Sequence, residues 1–408
     1  MNPEIKQRIE RIRCGEQPEG YKNTKVGVIP DVWRCYQIHE CLSIYNHERK
    51  PISEDVRKTI PGPYPYYGPT QAQGYISTYE SEGPAVLIGE DGDHFLKYKD
   101  REMTMYVDGK YTVNNHAHVL RGTELCETKW FYYAYQHKSL FDAITRQGAG
   151  RYKLKKEALI KLPLQCPPIE EQRKIISILN TPDKVIELKE KRLTEKQRQK
   201  KYLMQQLLTG KKRLPGFSGA WKGDRLGKLF LERKETNCED LEMLAITGTQ
   251  GIIPRKELDL KDNSSEDKSK YLRVCVGDIG YNTMRMWQGV SAYSNYEGIV
   301  SPAYTILKPS SSINAKYFAY LFKMPEIISL FYRFSQGLVD DTRNLKYENF
   351  KKIKVFYPTD VKEQTAIVEV LSTSDREIDL LQQDIEQEKK KKKALMQLLL
   401  TGIVRVKT

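Results

Sequence analysis

Residues 168–210 recur at 360–402, without a gap and at a fixed offset of 192, with 17 of 43 positions identical. Glu171-Gln172 falls on Glu363-Gln364, Leu179 on Leu371, Asp183 on Asp375 and Lys200-Lys201 on Lys392-Lys393. The stretch closes on Leu207-Leu208-Thr209-Gly210 over Leu399-Leu400-Thr401-Gly402. An internal repeat constrains a fold more than any local propensity does, and this period is far too long for a solenoid. The 408-residue chain must therefore hold two copies of one module.

Both copies of the repeat read as helices. Thr181-Pro182 offers an N-cap followed by a first-turn proline, and Asp183 suits the positive end of the helix dipole. Apolar positions then run Ile186, Leu193, Leu203, Leu207 in one copy and Ile378, Leu381, Ile385, Leu395, Leu399 in the other, in steps of three, four and seven. Gly210 and Gly402 stand where a helix would stop. This spacing predicts two helices of about 27 residues, roughly 40 Å each, preceded by shorter amphipathic segments at 172–180 and 364–372. The middle of each stripe is polar: Lys196 and Lys200 in one, Glu388 and Lys392 in the other. An antiparallel pair would bring Glu388 near Lys196 or Lys200, as a register-fixing contact or as solvated charge where the helices splay.

Two long segments, 18–165 and 213–355, lie between and before the helices. They are rich in Gly, Pro, Tyr, Val and Thr, with short β-like runs such as Ala85-Val86-Leu87-Ile88 and Leu272-Arg273-Val274-Cys275-Val276. They are diverged relatives. Val86–Glu90 parallels Val274–Asp278, Lys129-Trp130-Phe131 parallels Lys316-Tyr317-Phe318, Arg146-Gln147-Gly148 parallels Ser335-Gln336-Gly337, and each segment opens on a lone tryptophan, Trp33 or Trp221. The expected class is α+β: two α/β domains separated by two long antiparallel helices acting as a coiled-coil spacer, the duplicated chain having a pseudo-two-fold axis. The expected divisions are an N-terminal helix at 1–17 capped by Asn2-Pro3 with Ile5, Ile9 and Ile12 on one face, a first domain at 18–165, helical segments at 166–212 and 356–408, and a second domain at 213–355.

A net charge of +14 favours an acidic partner, most commonly nucleic acid. Seven cysteines, an odd number without a C-x-x-C, argue against a disulfide framework and for a reducing cytoplasm. A charged N-terminus predicts no signal peptide, and the lack of an 18-residue apolar run predicts no membrane association.

The chain offers catalytic decoys. Gln165-Cys166-Pro167-Pro168-Ile169 suggests the Asn-Pro-Pro-Tyr loop of adenine methyltransferases, but lacks the Asn and the aromatic that grip a flipped base. Pro182-Asp183, Glu187 and Lys189 spell a nuclease-like PD…ExK, yet these carboxylates fall within two turns of one helix rather than on strands that could share Mg²⁺. Cys35, His39, Cys41 and His47 fit no common zinc spacing. No Walker A or dinucleotide fingerprint is present. No catalytic residue and no metal site are expected.

Binding features are stronger. Residues 183–213 carry 11 Lys/Arg against 4 Asp/Glu, and Lys389–Lys393 is an unbroken run, which suits either a solvated face or contact with phosphates. The Tyr/Gln/Gly-rich stretch Pro63–Tyr75 supplies Tyr66, Tyr67, Gln71, Gln73 and Tyr75. Asn114, Asn115 and His116 follow in the first domain, and Thr247, Thr249, Gln250, Asn282 and Arg285 hold the similar places in the second. Gln, Asn and Arg make paired hydrogen bonds to purine edges in the major groove, and nearby glycines allow close backbone approach.

Pro-Pro-x-x-Glu-Gln, a long helix and then Leu-Met-Gln-x-Leu-Leu-Thr-Gly, occurring twice between diverged domains, resembles the specificity subunit of type I restriction-modification systems. Ile29-Pro30-Asp31-Val32-Trp33 and Val300-Ser301-Pro302-Ala303-Tyr304 also fit; Pro358-Thr359-Asp360 replaces the double proline in the second copy. The resemblance implies a non-catalytic chain with two target-recognition domains, each reading one half of a bipartite site in double-stranded DNA, with the helices setting the gap. It implies docking of two modification (methyltransferase) subunits on the helices, through residues such as Ile175, Ile176, Leu208, Ile367, Val368 and Leu400. Restriction/translocase subunits would join the assembly. No cofactor is expected in this chain: S-adenosylmethionine, ATP and Mg²⁺ would belong to the partner subunits. A coiled-coil scaffold that binds proteins and no DNA is the alternative.

Overall fold

The computed structural model of the chain describes residues 3–147, 151–248, 250–258 and 267–406. The chain folds as two compact units. One joins Met1–Leu188 to Ile385–Thr408; the other is the single stretch Lys189–Asp384. The expected helix cap Asn2 and the glycine of Arg146-Gln147-Gly148 lie outside the described residues.

In the first unit a four-stranded sheet runs Leu42–Ile44, Ala117–Gly122, Ala85–Gly89, Thr104–Val107, all antiparallel. The strand Ala85–Gly89 is buried along its whole length, as its unbroken apolar sequence demands. A second sheet, Ala72–Ile76, Pro61–Tyr67, Lys110–Val113, Ser81–Glu82, includes one parallel pair, Thr112 beside Tyr66. Helix Thr128–Tyr135 covers the first sheet and buries Trp130, Phe131, Tyr133 and Tyr135.

The second unit repeats the first sheet. The order is Phe230–Arg233, Tyr304–Pro309, Ile279–Asn282, Ser291–Tyr293, and helix Ala315–Leu321 buries Tyr317 and Phe318 where the first unit has Trp130 and Phe131. One expected correspondence changes. Val86 pairs with Leu120 in the first unit, and Ile279 pairs with Leu307 at the matching place. The counterpart of Ala85–Gly89 is therefore Ile279–Asn282. The β-like run at Val274 pairs instead with Gly298 in a separate two-stranded ladder. Both runs are apolar, so composition alone could not separate them.

The long helices span Ile169–Leu207 and Val361–Leu400. At 39 and 40 residues they are about 60 Å long, not the 27-residue helices with short preludes read from Thr181-Pro182. Pro182 lies inside the first helix. Ile175, Leu179 and Ile186 are all buried, so the apolar stripe stays in phase across the proline, and packing outweighs the lost backbone N–H.

The repeated residues close each unit. In the first, fully buried Glu171 accepts from Arg405 at 2.6 and 2.8 Å and from the Trp33 indole at 3.0 Å. In the second, Glu363 accepts two hydrogen bonds from Arg213, 192 residues before Arg405. Gln172 accepts from the Glu127 amide and donates to the Leu125 and Pro167 carbonyls; Gln364 accepts from the Asn314 amide and donates to the Pro358 carbonyl. Each glutamine thus serves the N-terminus of the helix that covers its sheet. Lys392 meets Asp183 at 2.6 Å, and Tyr133 donates to that carboxylate; Lys200 meets Asp375, and Tyr320 donates to it at 2.6 Å. Burial, then the neighbouring carboxylate, pushes both tyrosines well above their ordinary pKa.

The terminal glycines explain themselves the same way. Gly402 has φ +72°, and a Cβ there would stand 2.5 Å from Pro30 and 3.2 Å from Trp33. Gly210 has φ +71° and faces Trp221 at 3.3 Å. Tyr21 donates to the Gly402 carbonyl and Arg8 to that of Ile403, so the N-terminal helix Pro3–Arg13 is tied to the C-terminal tail.

Two further expectations change. Lys196 pairs with Glu377 and Lys200 with Asp375, two turns or more before the expected Glu388. With Lys189 on Asp384, these pairs run antiparallel within the second unit. The lysine run is not a uniform solvated face: Lys392 is buried against Asp183, and Lys393 donates to the Lys99 carbonyl.

Candidate nucleic-acid interface

In the first unit the hairpin joining Pro61–Tyr67 to Ala72–Ile76 and the turn at 114–116 meet at one sheet end. The Asn114 amide donates to the Tyr67 carbonyl at 2.9 Å, and its side chain reaches Gln73 at 3.4 Å. Gly68 lets the Gln73 side chain fold over the turn, since a Cβ there would stand 2.4 Å from it and move it aside. Gln71, Gln73, Asn115 and His116 are exposed, Tyr67 is half-buried, and Tyr75 keeps 61% of its surface exposed. A second hairpin, Thr145–Gln147 with Arg151–Lys153, joins this edge: Asp91 sits between His116 at 2.9 Å and Lys153 at 3.7 Å. It brings the exposed side chains of Arg146 and Arg151 to the same end.

Two expected contacts are withdrawn. Tyr66 is 1% exposed, accepting from the Ile52 amide and donating to the Lys50 carbonyl. Asn114 is 5% exposed and holds the turn by accepting from the His116 amide at 2.8 Å. Both hydroxyl and amide are consumed by turn architecture, the ordinary fate of such groups.

In the second unit the strands Leu244–Ile246 and Ile252–Pro254 present the turn 247–251. Thr247 binds Gly251 and accepts from the Gln250 amide, leaving the Gln250 side chain exposed. Thr249 lies outside the described residues. Asn282 is half-buried and accepts from the Met284 amide, whereas Arg285 is exposed on the turn that follows. The two turns are neighbours, since Gly248 faces Val290, whose amide donates to the Arg285 carbonyl. Asn114–His116 corresponds by strand register to Ser301–Ala303 rather than to Asn282–Met286: Glu90 bonds His116 as Thr283 bonds Ala303.

Sequence reasoning missed an aromatic shelf beside Arg285. Trp287 packs edge-on to Tyr332 at 6.0 Å, and Arg343 lies 3.9 Å over the Tyr332 ring. Next to it Leu338 is fully exposed and Val339 59% exposed. Its sequence signal is the Ser335-Gln336-Gly337 echo of Arg146-Gln147-Gly148.

A groove of about 840 Å³ runs within the second unit from the turn 247–251 to the long helices. Lys200, Lys201, Lys316, Lys323 and Gln250 line it, together with Asp379, apolar residues such as Ala292 and Met324, and Asp375, which holds Lys200. Four lysines against two aspartates leave it a small positive excess, which suits a phosphate backbone.

The six expected docking residues are corrected. Ile175, Ile176 and Leu400 lie in the core of the first unit, and Leu208, Ile367 and Val368 in that of the second, none more than 8% exposed. Their apolar surface is already covered by this chain. The repeat leaves a different pair uncovered: Leu188 and its counterpart Leu380 are 57% and 65% exposed. Cys35, His39, Cys41 and His47 do not form a metal-ligating group among the described residues; Cys41 turns inward instead. No helix among the described residues is long and apolar enough to cross a membrane.

Comparison with known proteins agrees with this architecture. The model of the type I restriction modification DNA specificity domain matches residues 30–198 and again 243–389. A Haemophilus influenzae protein named as a type I restriction enzyme specificity subunit is 26% identical over 349 residues, covering 82% of this chain and 85% of its own. The Methanocaldococcus jannaschii protein named as the MjaX specificity subunit is 24% identical over 441 residues, covering 96% and 98%. The crystal structure of a type I restriction-modification S subunit from M. genitalium shares the fold with a TM-score of 0.60 at 14% identity, covering 92% of this chain and 97% of that one. Two matches to one family model, on a duplicated fold whose repeated residues close each copy, place this chain in the type I restriction-modification DNA specificity family.

Proposed function

We propose that each unit reads one half of a bipartite DNA sequence, and that the long helices set the gap between half-sites and carry the modification subunits. One observation carries this reading: the residues identical in both copies hold the units closed, while the two copies diverge at the projecting turns. A shared frame with unlike tips is what two different half-sites require. Gln71, Gln73, Asn115 and His116 serve one half-site, and Gln250, Arg285 and the Trp287–Tyr332 shelf the other. Phosphate contacts come from Arg146 and Arg151 in one unit and from the cationic groove in the other, giving steep salt dependence.

Leu188 and Leu380 are the docking residues in this reading. They are identical, exposed and equivalent, so two copies of one partner can use them. The partners bind S-adenosylmethionine and modify adenine, and the restriction/translocase subunits use ATP and Mg²⁺; the assembly works in the cytoplasm. Methylation-motif sequencing of cells carrying the chain with its modification subunits tests the proposal. A bipartite motif is expected, and exchanging 18–165 for the first domain of a relative should change one half only. A change in both halves, or no motif, would refute it.

A further inference from the structure

The sulfur atoms of Cys41, Cys126 and Cys166 all lie within 4.8 Å of one another, and all three residues are buried in the core of the first unit. They come from three separate pieces of chain. Cys41 ends the short helix Ile38–Cys41, Cys126 precedes helix Thr128–Tyr135, and Cys166 ends the strand Pro163–Cys166 just before the first long helix. Their polar contacts are weak, Cys41 toward the Gln37 and Ile38 carbonyls and Cys126 toward the Glu127 carbonyl, at 3.6 to 3.8 Å.

The second unit shows what this place needs for packing alone. Leu229 ends the matching short helix, Ile313 precedes the helix cap Asn314 as Cys126 precedes Glu127, and Tyr357 lies opposite Lys222 as Cys166 lies opposite Arg34. Leucine, isoleucine and tyrosine fill these positions there, so the shared frame does not require a thiol at any of them. The first unit carries thiols at all three.

Three sulfurs around one ion at a metal–sulfur bond of about 2.3 Å stand about 4 Å apart, within the span observed. Zinc in a structural site takes four ligands, and among the described residues no histidine, carboxylate or fourth cysteine joins this group. Thiolate sulfur in an apolar pocket selects soft ions, monovalent copper foremost. We propose that Cys41, Cys126 and Cys166 form a three-sulfur site for Cu(I) at the root of the first long helix. Each bond to a thiolate forms as a thiol proton leaves for the buffer; copper stays monovalent and no electron moves. The ion would tie together the same segments that Gln172 joins through Glu127 and Pro167, so binding would stabilise the first unit by linkage.

The test uses the full reduced chain under anaerobic conditions, with Cu(I) supplied from a competing chelator and Zn(II) in a parallel arm. One Cu(I) per chain is expected, with an X-ray absorption shell of three sulfurs on the unsubstituted protein and a raised Tm. Cys126→Ser should lower affinity by more than the roughly 10- to 100-fold typical of losing an outer-shell partner, while Cys14→Ser, at an exposed thiol, should leave it unchanged. Failure to retain Cu(I), a shell of other than three sulfurs, retention that survives Cys126→Ser but not Cys14→Ser, or equal retention of four-coordinate Zn(II) would each overturn the proposal. The absorption measurement stands even if Cys126→Ser fails to fold.

Discussion

Arg405 grips a carboxylate that has no exposed surface, its guanidinium 2.6 and 2.8 Å from the two oxygens of Glu171, a residue 234 positions earlier. Trp33 fills the remaining space with its indole N–H. Breaking such a contact from the cation side leaves a buried charge. Removing one partner of a buried pair costs about 3–5 kcal/mol, and partial exposure of Arg405 lowers that to roughly 2–4 kcal/mol for Arg405→Ala. Urea unfolding of the full chain measures it. The double variant with Glu171→Gln should recover part of the loss; a cost under about 0.5 kcal/mol for Arg405→Ala would show that the carboxylate finds another partner.

Gly402→Ala and Gly210→Ala should both destabilise, and unequally. Each forces a non-glycine residue into the left-handed region, at about 1–2 kcal/mol. At Gly402 the new methyl also meets the Pro30 ring at 2.5 Å, while at Gly210 its nearest neighbour is 3.3 Å away. Gly402→Ala should lower Tm further. The reverse order would mean that the Pro30 ring moves aside at little cost.

Lys323 and Lys138 should add stability that grows with pH between about 8 and 10, against an opposing loss from Cys35 and Cys275, whose thiols burial keeps protonated in the fold. Burial lowers Lys323 and Lys138 to about 8, against about 10.4 in an unfolded chain. Below pH 8 both states hold the proton and the full burial penalty applies. Between about 8 and 10.4 the unfolded state holds more protons at these two lysines, so through them raising the pH favours the fold. The window closes near pH 10, where the unfolded state begins to ionise tyrosines that burial keeps protonated in the fold, among them Tyr281 and Tyr317. The stability of the unsubstituted chain relative to the Lys323→Met, Lys138→Met double variant should grow with pH across this window; parallel pH profiles would remove these lysines as a pH-dependent contribution.

Arg285 and Tyr66 should separate reading from folding. Arg285→Ala should relax base preference in one half-site by about 1–3 kcal/mol with little change in Tm. Tyr66→Phe removes a buried hydroxyl with two partners, costing about 1 kcal/mol of stability with the recognised sequence unchanged. Binding to a library of half-site variants gives one number and thermal unfolding the other. Altered base preference in Tyr66→Phe would return that residue to the interface.

Leu188→Glu and Leu380→Glu should each weaken assembly with the modification subunits and leave folding intact, because both side chains already stand in water. Native mass spectrometry should show loss of one bound subunit in each single variant and of both in the double. Full occupancy in the double variant would place docking elsewhere.

Much of the frame was legible in the sequence because closure uses few, chemically distinctive residues. Glu-Gln, Asp, the first lysine of Lys-Lys and Leu-Leu-Thr-Gly recur at a constant offset since each has the same partner type in both copies. Their purpose was not legible. Ile175 and Ile367 suggested a surface for partners, yet they are core, because each helix packs on its own domain and not only on its neighbour. Pro182 suggested a start, since local propensity cannot register the in-phase apolar residues on both sides of it. Among the reading residues, the sequence favoured polar types in turns, but only hydrogen-bond partners separate Gln250, which is exposed, from Asn114, which builds its own turn. The three clustered cysteines are 85 and 40 residues apart in sequence and carry no spacing signal at all.

The closure at Glu171 also sets an order of synthesis. Lys189–Asp384 is one uninterrupted stretch, so the second unit can finish folding while the ribosome is still working. The first unit cannot. Its first 188 residues emerge early, yet their buried carboxylate meets no cation until Arg405 is made. At translation rates of about 5–20 residues per second the wait is on the order of 10–40 s. A message cut short before the Arg405 codon would yield a protein with one half complete and the other left open.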